Sequence, residues 1–278
     1  MATPHLVRNV EVVLEIRKKR EMKLVLMPLL HEDDPNWPRE RIAAALRIAD
    51  ATIANTAWEK DRIIDSYGIP RDRVFVGGVG TDVCEGPPVV HDHPFSITYL
   101  GRLTLKKGIR LLIEAMLIVW ERAGSVPLNL IGASTNDRQE IQSLVDCLPP
   151  DKRSNVKIAS DVTDGYKDEV LRNASSLLVL PSTNESFGIV ILEAWAHRVP
   201  IVVPKTPLFE SIVDDGRDGF LVVPRPEDLA ECILSARANP ARLQKMGDLG
   251  QLKVRTLYNW KPVGRRFLEA YCFAANCR

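Results

Sequence analysis

The sequence predicts an α/β protein: a complete, Rossmann-like, doubly wound parallel sheet in the C-terminal part, preceded by a partial α/β domain. From about Phe95 onward, short apolar runs alternate with amphipathic ones without a break. The short runs are apolar throughout rather than at every second residue, as in strands covered on both faces. Before the Gly- and Pro-rich stretch Gly77–Asp92 (GGVGTDVCEGPPVVHD), the same alternation yields only two or three βα units. The expected division is therefore a partial N-terminal domain over 1–86, a linker over 87–94 and a C-terminal domain over 95–278.

In order, Val10–Lys19 reads as a helix, Lys23–Pro28 as a strand and Arg39–Ile48 as a helix. Ala51–Asn55 and Val74–Val76 are short strands around a helix near Trp58–Tyr67. Phe95–Leu100 (FSITYL) is the first strand of the second domain. Gly108–Arg122 follows as a helix, because Ile109, Leu112, Ala115, Met116 and Val119 recur at the spacing of one helical face. Val126–Ile131 and Val156–Ala159 are strands, each followed by a helix, over Arg138–Cys147 and Tyr166–Asn173. Ser176–Leu180 (SLLVL) is a buried strand closed by Pro181, and Gly188–His197 is the helix after it. Pro200–Val203 and Phe220–Val223 are strands, and Pro226–Ala238 is a helix opened by proline and acids. Ligands of such sheets sit beyond the carboxyl ends of the strands, so chemistry is expected just after FSITYL and SLLVL.

Composition narrows the function. The chain has 278 residues, 45% hydrophobic and 26% charged, with a net charge of +1, which gives no global argument for nucleic acid or a membrane surface. There is no basic stripe interleaved with aromatics, so no nucleic-acid partner is expected. Apolar runs such as Leu24–Leu30 and Gly188–Leu192 fall far short of the roughly 18 residues of a membrane span. The N-terminus has no continuous apolar core, so a signal peptide is not expected. Five cysteines, an odd number without C-x-x-C, read as reduced thiols of a cytoplasmic protein, peripheral membrane association being left open.

The segment after SLLVL is PSTNESFGIVILEA, Pro181–Ala194, with Glu185 and Glu193 eight residues apart. Eight helical residues span about 12 Å, whereas paired glycosidase carboxyls sit about 5–9.5 Å apart. Separate roles on one elongated ligand fit better. Ser186 to Ile189 opens the helix, whose unpaired N–H groups suit a phosphate, and Gly188 permits close backbone approach. Carboxylates beside a phosphate must face something uncharged with hydroxyls, which points to sugar, phosphate and sugar in series. The plain alternative is that both glutamates are helix-start and helix-face acids.

The segment after FSITYL is Gly101-Arg102-Leu103-Thr104-Leu105-Lys106-Lys107-Gly108. Its arginine fork and lysine point charge are placed to neutralise a diphosphate; a solvated basic turn is the alternative. Asp214-Asp215 reads as a turn and not as a metal cluster, and neither metal nor cofactor is expected. Gly78-Val79-Gly80 is the only hook for a dinucleotide oxidoreductase, and it lacks the third glycine and the helix that should come next.

Together these stretches resemble the retaining glycosyltransferases of family 4, which have the GT-B fold. ESFGIVILE resembles their E-x7-E element, GRLTLKKG their G-R-x4-K-G element and GGVGTDV their interdomain turn. DDGRDGFLVVPRPEDLAECI and Tyr258-Asn259-Trp260 resemble that family's segments after E-x7-E. The resemblance covers most of residues 50–271 and implies a GT-B-like chain moving a hexosyl group from a nucleotide-diphospho-sugar to an acceptor hydroxyl, with retention. It implies that Arg102 and Lys107, beside Gly101, hold the donor diphosphate, and that Glu185 contacts the transferred sugar. Ser186, Phe187, Gly188 and Ile189 would line sugar and phosphate, Glu193 would take the ribose hydroxyls, and the base would lie near Ile158–Val162. His31 matches the family's sugar-facing histidine, or is a plain loop histidine. The acceptor is a sugar, a lipid or a small molecule.

Members of that family carry a full N-terminal domain with a glycine-rich loop, and here its first strands and that loop are absent. The chain is therefore expected to bind nucleotide diphosphate but to transfer sugar poorly. Leu24–Leu30 is expected to be exposed, inviting self-association or a partner chain. The alternative function is a nucleotide-sugar binding module without turnover.

Overall fold

In a computed structural model, the chain is described over residues 12, 15, 16, 19, 22–31, 37–84, 94–173 and 175–276. It divides into two compact units, and the boundaries interleave along the chain. The first takes in the described residues of Met1–Gly80, with Glu185–Phe187 and Tyr258–Arg278; the second takes in those of Thr81–Asn184, with Gly188–Leu257.

The first unit holds a parallel sheet of strands β1 (Val25–Leu26), β2 (Ala51–Ala54) and β3 (Val74–Val76), in that spatial order. Helix α1 (Arg39–Ile48) buries Ile42, Ala43, Ala45 and Leu46, and α2 (Ala57–Tyr67) buries Ile63 and Tyr67. These join Leu26, Leu30, Ile69 and Val74 in one core. That core corrects one expectation: Leu26, Pro28 and Leu30 are buried and their neighbours in Leu24–Leu30 half-buried, so this run is not an exposed apolar surface. Large exposed side chains of this unit, Ile48, Trp260, Leu268 and Tyr271 among them, lie elsewhere.

The second unit holds six parallel strands: β4 (Ile97–Leu100), β5 (Leu128–Gly132), β6 (Val156–Ser160), β7 (Leu177–Val179), β8 (Ile201–Pro204) and β9 (Gly219–Val222). Their spatial order is β6-β5-β4-β7-β8-β9, so the winding reverses between β4 and β7, the expected doubly wound topology. Helix α3 (Ile109–Ala123) buries Ile109, Leu112, Ile113, Met116, Val119 and Trp120, the stripe its sequence period dictates. The indole of Trp120 donates to Val126 O at 2.8 Å, pinning the turn into β5.

The remaining helices of this unit are α4 (Arg138–Asp146), α5 (Pro150–Arg153), α6 (Asp164–Asn173), α7 (Ile189–Ala196), α8 (Pro207–Glu210), α9 (Pro226–Arg237) and α10 (Pro240–Lys253). Helix α10 is absent from the sequence reading because Gly247 and Gly250 look like breakers. They are packing positions instead. A Cβ on Gly247 would lie 1.9 Å from Arg198 O, and one on Gly250 would lie 2.1 Å from the Trp195 ring.

The last helix, α11 (Trp260–Ala275), is capped by Asn259, whose side chain accepts from the Lys261 N–H. The sequence-based division puts it in the 95–278 domain, whereas the structure groups it with the first unit. Its inner face explains this. Phe273 packs on Phe75 with ring centroids 5.3 Å apart, Arg266 Nε donates to Gly77 O at 2.8 Å, and the Phe267 ring leaves no room for a side chain at Gly77. Of the expected linker 87–94, only Pro94 lies within the described residues. Among the described residues no helix is long and apolar enough to cross a membrane, and Cys84, Cys147, Cys232 and Cys272 form no disulfide.

Candidate functional site

The site of the second unit grows from the sheet's reversal point. Strands β4 and β7 pair directly, so the segments leaving their carboxyl ends run side by side. The first is Gly101–Gly108 and the second starts at Leu180. Gly108 has φ +77°, and a Cβ there would lie 2.5 Å from Pro181 O, so only glycine lets the backbones meet this closely. Lys107 Nζ donates to Asn184 O at 2.9 Å and links the two segments again. An ammonium carries three donors, so this bond is compatible with a phosphate on the same nitrogen. Arg102 is exposed at the same edge, its carbonyl accepting from the Tyr99 hydroxyl at 2.6 Å.

A third segment, after β5, braces the basic one. Asp137 accepts from Thr104 Oγ1 at 2.5 Å and from Leu105 N at 3.0 Å. These bonds, the hydroxyl first, hold its carboxyl below the usual range. The sequence reading missed Asp137, because an aspartate just before a helix looks like a cap. Here its side chain makes no cap bond and turns to the neighbouring loop. Leu103 N donates to Ala133 O at 2.9 Å, and a Cβ on Gly132 would lie 1.6 Å from Gly101 O.

The fourth segment, after β6, carries the expected base-side residue Val162, which is half-buried. Just before it, Asp161 takes φ +55°, and its carboxylate accepts from the Ser134 N–H at 2.9 Å. Helix α7 opens this edge from the other side. Its cap is Gly188 at φ +85°, Ile189 is 53% exposed, and the Ile191 N–H turns back to Gly188 O at 2.9 Å, so the open end of the helix is at Ile189 and Val190. One turn on, Glu193 is half-buried, with Lys167 Nζ 3.7 Å away. His197 Nδ1 lies 2.8 Å from Glu193 O and its Nε2 lies 3.4 Å from Asp168, which makes it a packing residue of the α6–α7 surface.

Gly101, Arg102, Lys107, Val162, Gly188, Ile189 and Glu193 thus belong to one edge of one unit. Glu185, Ser186 and Phe187 group with the first unit, where Phe187 is buried edge-on to Tyr258 with centroids 5.7 Å apart. His31 is half-buried beyond the carboxyl end of β1, its ring 6.3 Å from that of Trp37. Among the described residues no cluster of His, Cys, Asp or Glu could hold a metal ion.

Beside His31 lies a carboxylate the sequence reading also missed. Glu59 is 1% exposed and accepts from Leu30 N at 2.7 Å and Asn55 N at 2.5 Å, tying together the ends of β1 and β2. Thr56-x-x-Glu59 is the signal, a capping box whose glutamate reaches one strand further than usual. Burial pushes the Glu59 carboxyl from 4.5 up to about 7, against the pull of its two backbone bonds. The folded state therefore holds this proton more tightly than the unfolded chain. Its contribution to stability is full below pH 4.5 and is lost as pH rises through about 7. Denaturant unfolding at pH 5 and pH 8 should show Glu59→Gln faring better, relative to wild type, at the higher pH. An unchanged difference would contradict the assignment.

A doubly wound sheet with a basic loop and an open helix start at its reversal point defines a Rossmann-like α/β class, in which ligands sit beyond the carboxyl ends of the strands. The particular family is shown by comparison. The sequence profile described as "Glycosyl transferases group 1" matches residues 88–252, and the chain belongs to that family. It is 26% identical over 269 residues to the D-inositol 3-phosphate glycosyltransferase of Pseudarthrobacter chlorophenolicus, covering 87% of this chain and 61% of that protein. It is 29% identical over 252 residues to the alpha-maltose-1-phosphate synthase of Mycolicibacterium smegmatis, covering 82% of this chain and 64% of that protein. The chain thus spans about 61–64% of the length of these curated relatives. The crystal structure of Anabaena Alr3699/HepE in complex with UDP aligns with a TM-score of 0.79 at 19% identity, over 96% of this chain and 75% of that one. The fold is GT-B-like, as the sequence predicts.

Proposed function

We propose that the chain is a retaining glycosyltransferase that takes a hexosyl group from a nucleotide-diphospho-sugar and passes it to an acceptor hydroxyl. The observation that carries this is the basic loop 101–108, locked to the segment after β7 by Gly108 and Lys107, beside the open start of α7. The family supports transfer, and the UDP in the HepE complex supports a nucleoside diphosphate as the leaving group.

In this reading Arg102, Lys107 and the first turn of α7 hold the diphosphate, with Gly101 and Gly188 keeping the backbone close. As the bond from the sugar C1 to the phosphate oxygen breaks, negative charge grows on the diphosphate. Lys107, anchored on Asn184 O, and the N–H groups of the helix start are fixed beforehand and stabilise it together with Arg102. The acceptor oxygen bonds to C1 on the face the diphosphate leaves, and a diphosphate oxygen takes the acceptor's proton, so configuration is retained. Glu193 accepts from the ribose hydroxyls and Val162 borders the base. Glu185 is assigned to the transferred sugar by its place in E-x7-E, with Ser186, Phe187 and Ile189 lining the donor, and His31 is a further sugar contact. No step calls for a metal.

Incubating the chain with UDP-, GDP- and ADP-linked hexoses and a mixed pool of hydroxyl acceptors tests this. Product NMR should show the donor's own anomeric configuration. An inverted product would overturn retention, and donor binding without any product would reduce the chain to a nucleotide-sugar binding module.

A further inference from the structure

Glu193 does not stand alone. Lys167, one turn into α6, places Nζ 2.6 Å from Asp164 Oδ1 and 3.7 Å from Glu193 Oε1. Asp164 opens α6 just after Val162, so the lysine spans from the base-side segment to the carboxylate on α7. Its side chain is 26% exposed, against 91% for Asp164, so it lies between the helices rather than over them. The pair with the 91% exposed Asp164 contributes little to stability by itself.

We infer that Lys167 is a positioning residue for nucleoside recognition: it fixes Glu193 so that the carboxylate meets both ribose hydroxyls, and so sets the preference for ribo- over deoxyribonucleotides. The inference rests on the reading of Glu193 as the ribose acceptor. The physical argument is geometric and electrostatic. A carboxylate that must accept from two hydroxyls at once needs its plane fixed. An ammonium 3.7 Å from Oε1 biases the carboxylate's orientation by charge attraction while leaving its oxygens open to the ligand. It also offsets the negative charge that Glu193 would otherwise present to a nucleoside diphosphate. The direction of the lysine's own shift agrees, since hydrogen bonding to Asp164 and then the Glu193 charge hold its ammonium protonated more firmly than usual.

The test is calorimetry with UDP, GDP and ADP and their 2′-deoxy counterparts on wild type, Glu193→Gln, Lys167→Met and Lys167→Arg. Wild type should favour the ribonucleotide about tenfold or more, the worth of a charge-assisted hydrogen bond, and Glu193→Gln should erase that preference. Lys167→Met should shrink the preference to within about threefold, with the loss from the uncovered Glu193 charge falling alike on ribo- and deoxynucleotide, and Lys167→Arg should restore it. Asp164→Asn, at a side chain 91% exposed, should give an intermediate ratio. A Lys167→Met protein with the full wild-type ratio overturns the inference and leaves the Glu193 reading standing. A wild type without any preference, or without nucleotide binding, overturns the Glu193 reading and this inference with it.

Discussion

Arg102→Ala and Lys107→Ala should each cost on the order of 2–4 kcal/mol in sugar transfer, comparable to removing one oxyanion-stabilising donor. Affinity for a nucleoside diphosphate should fall steeply while affinity for the nucleoside stays nearly constant. The reason is where these side chains sit. Both lie on the segment that leaves β4 at the sheet's reversal point, next to the start of α7. Lys107 has a further part, because its bond to Asn184 O holds the neighbouring segment in place. Lys107→Ala is therefore expected to be the more damaging of the two. Competition binding with diphosphate, monophosphate and nucleoside decides the matter. Equal loss across all three would mean that the cations brace the fold and do not face phosphate.

Trp195→Ala should destabilise the second unit by about 3–5 kcal/mol, the range for emptying a large aromatic site in a core. Trp195 is fully buried in α7, donates its indole N–H to Asp218 O at 2.8 Å and lies under Lys253 Nζ at 5.3 Å from its ring centroid. Gly250 is bare because the ring occupies the space of its side chain. Truncation would leave a cavity, an unpaired carbonyl and a lysine ammonium without its aromatic face. With whole-domain stabilities of about 5–15 kcal/mol, that is a large share. Urea unfolding followed by circular dichroism measures it, and a cost below about 1 kcal/mol would show that the site collapses freely. The same ring sets the seat of α7, so nucleotide binding should weaken in parallel.

Much of the second unit is legible in the sequence, because its strands are apolar on both faces and its helices keep their period. Strand β4 and helix α3 fall within a few residues of FSITYL and of the 109–119 stripe. The place of the residues expected on the donor side is legible for a related reason, since the topology puts the segments after β4 and β7 at the carboxyl edge of the sheet. The hidden features depend on contacts distant in sequence. Helix α10 is disguised by glycines that only the Arg198 carbonyl and the Trp195 ring explain. Asp137 and Glu59 look like ordinary helix-start acids until the strand ends they grip are seen. Helix α11 gives no sign in sequence that its partners are β2 and β3, some two hundred residues earlier, as the Arg266 bond to Gly77 O across 189 residues illustrates. Leu24–Leu30 looks exposed in the sequence because the N-terminal layer reads as incomplete, yet the few elements present, α1 and α2 among them, suffice to cover it.

The central claim is that a nucleoside diphosphate binds at the carboxyl edge of the second unit's sheet. A crystal structure of this chain with the tightest binder among UDP, GDP and ADP tests it most directly. The account predicts the phosphates between the 101–108 loop and the first turn of α7, the ribose hydroxyls on Glu193 and the base beside Val162. A nucleotide bound at any other place on the folded chain would contradict it.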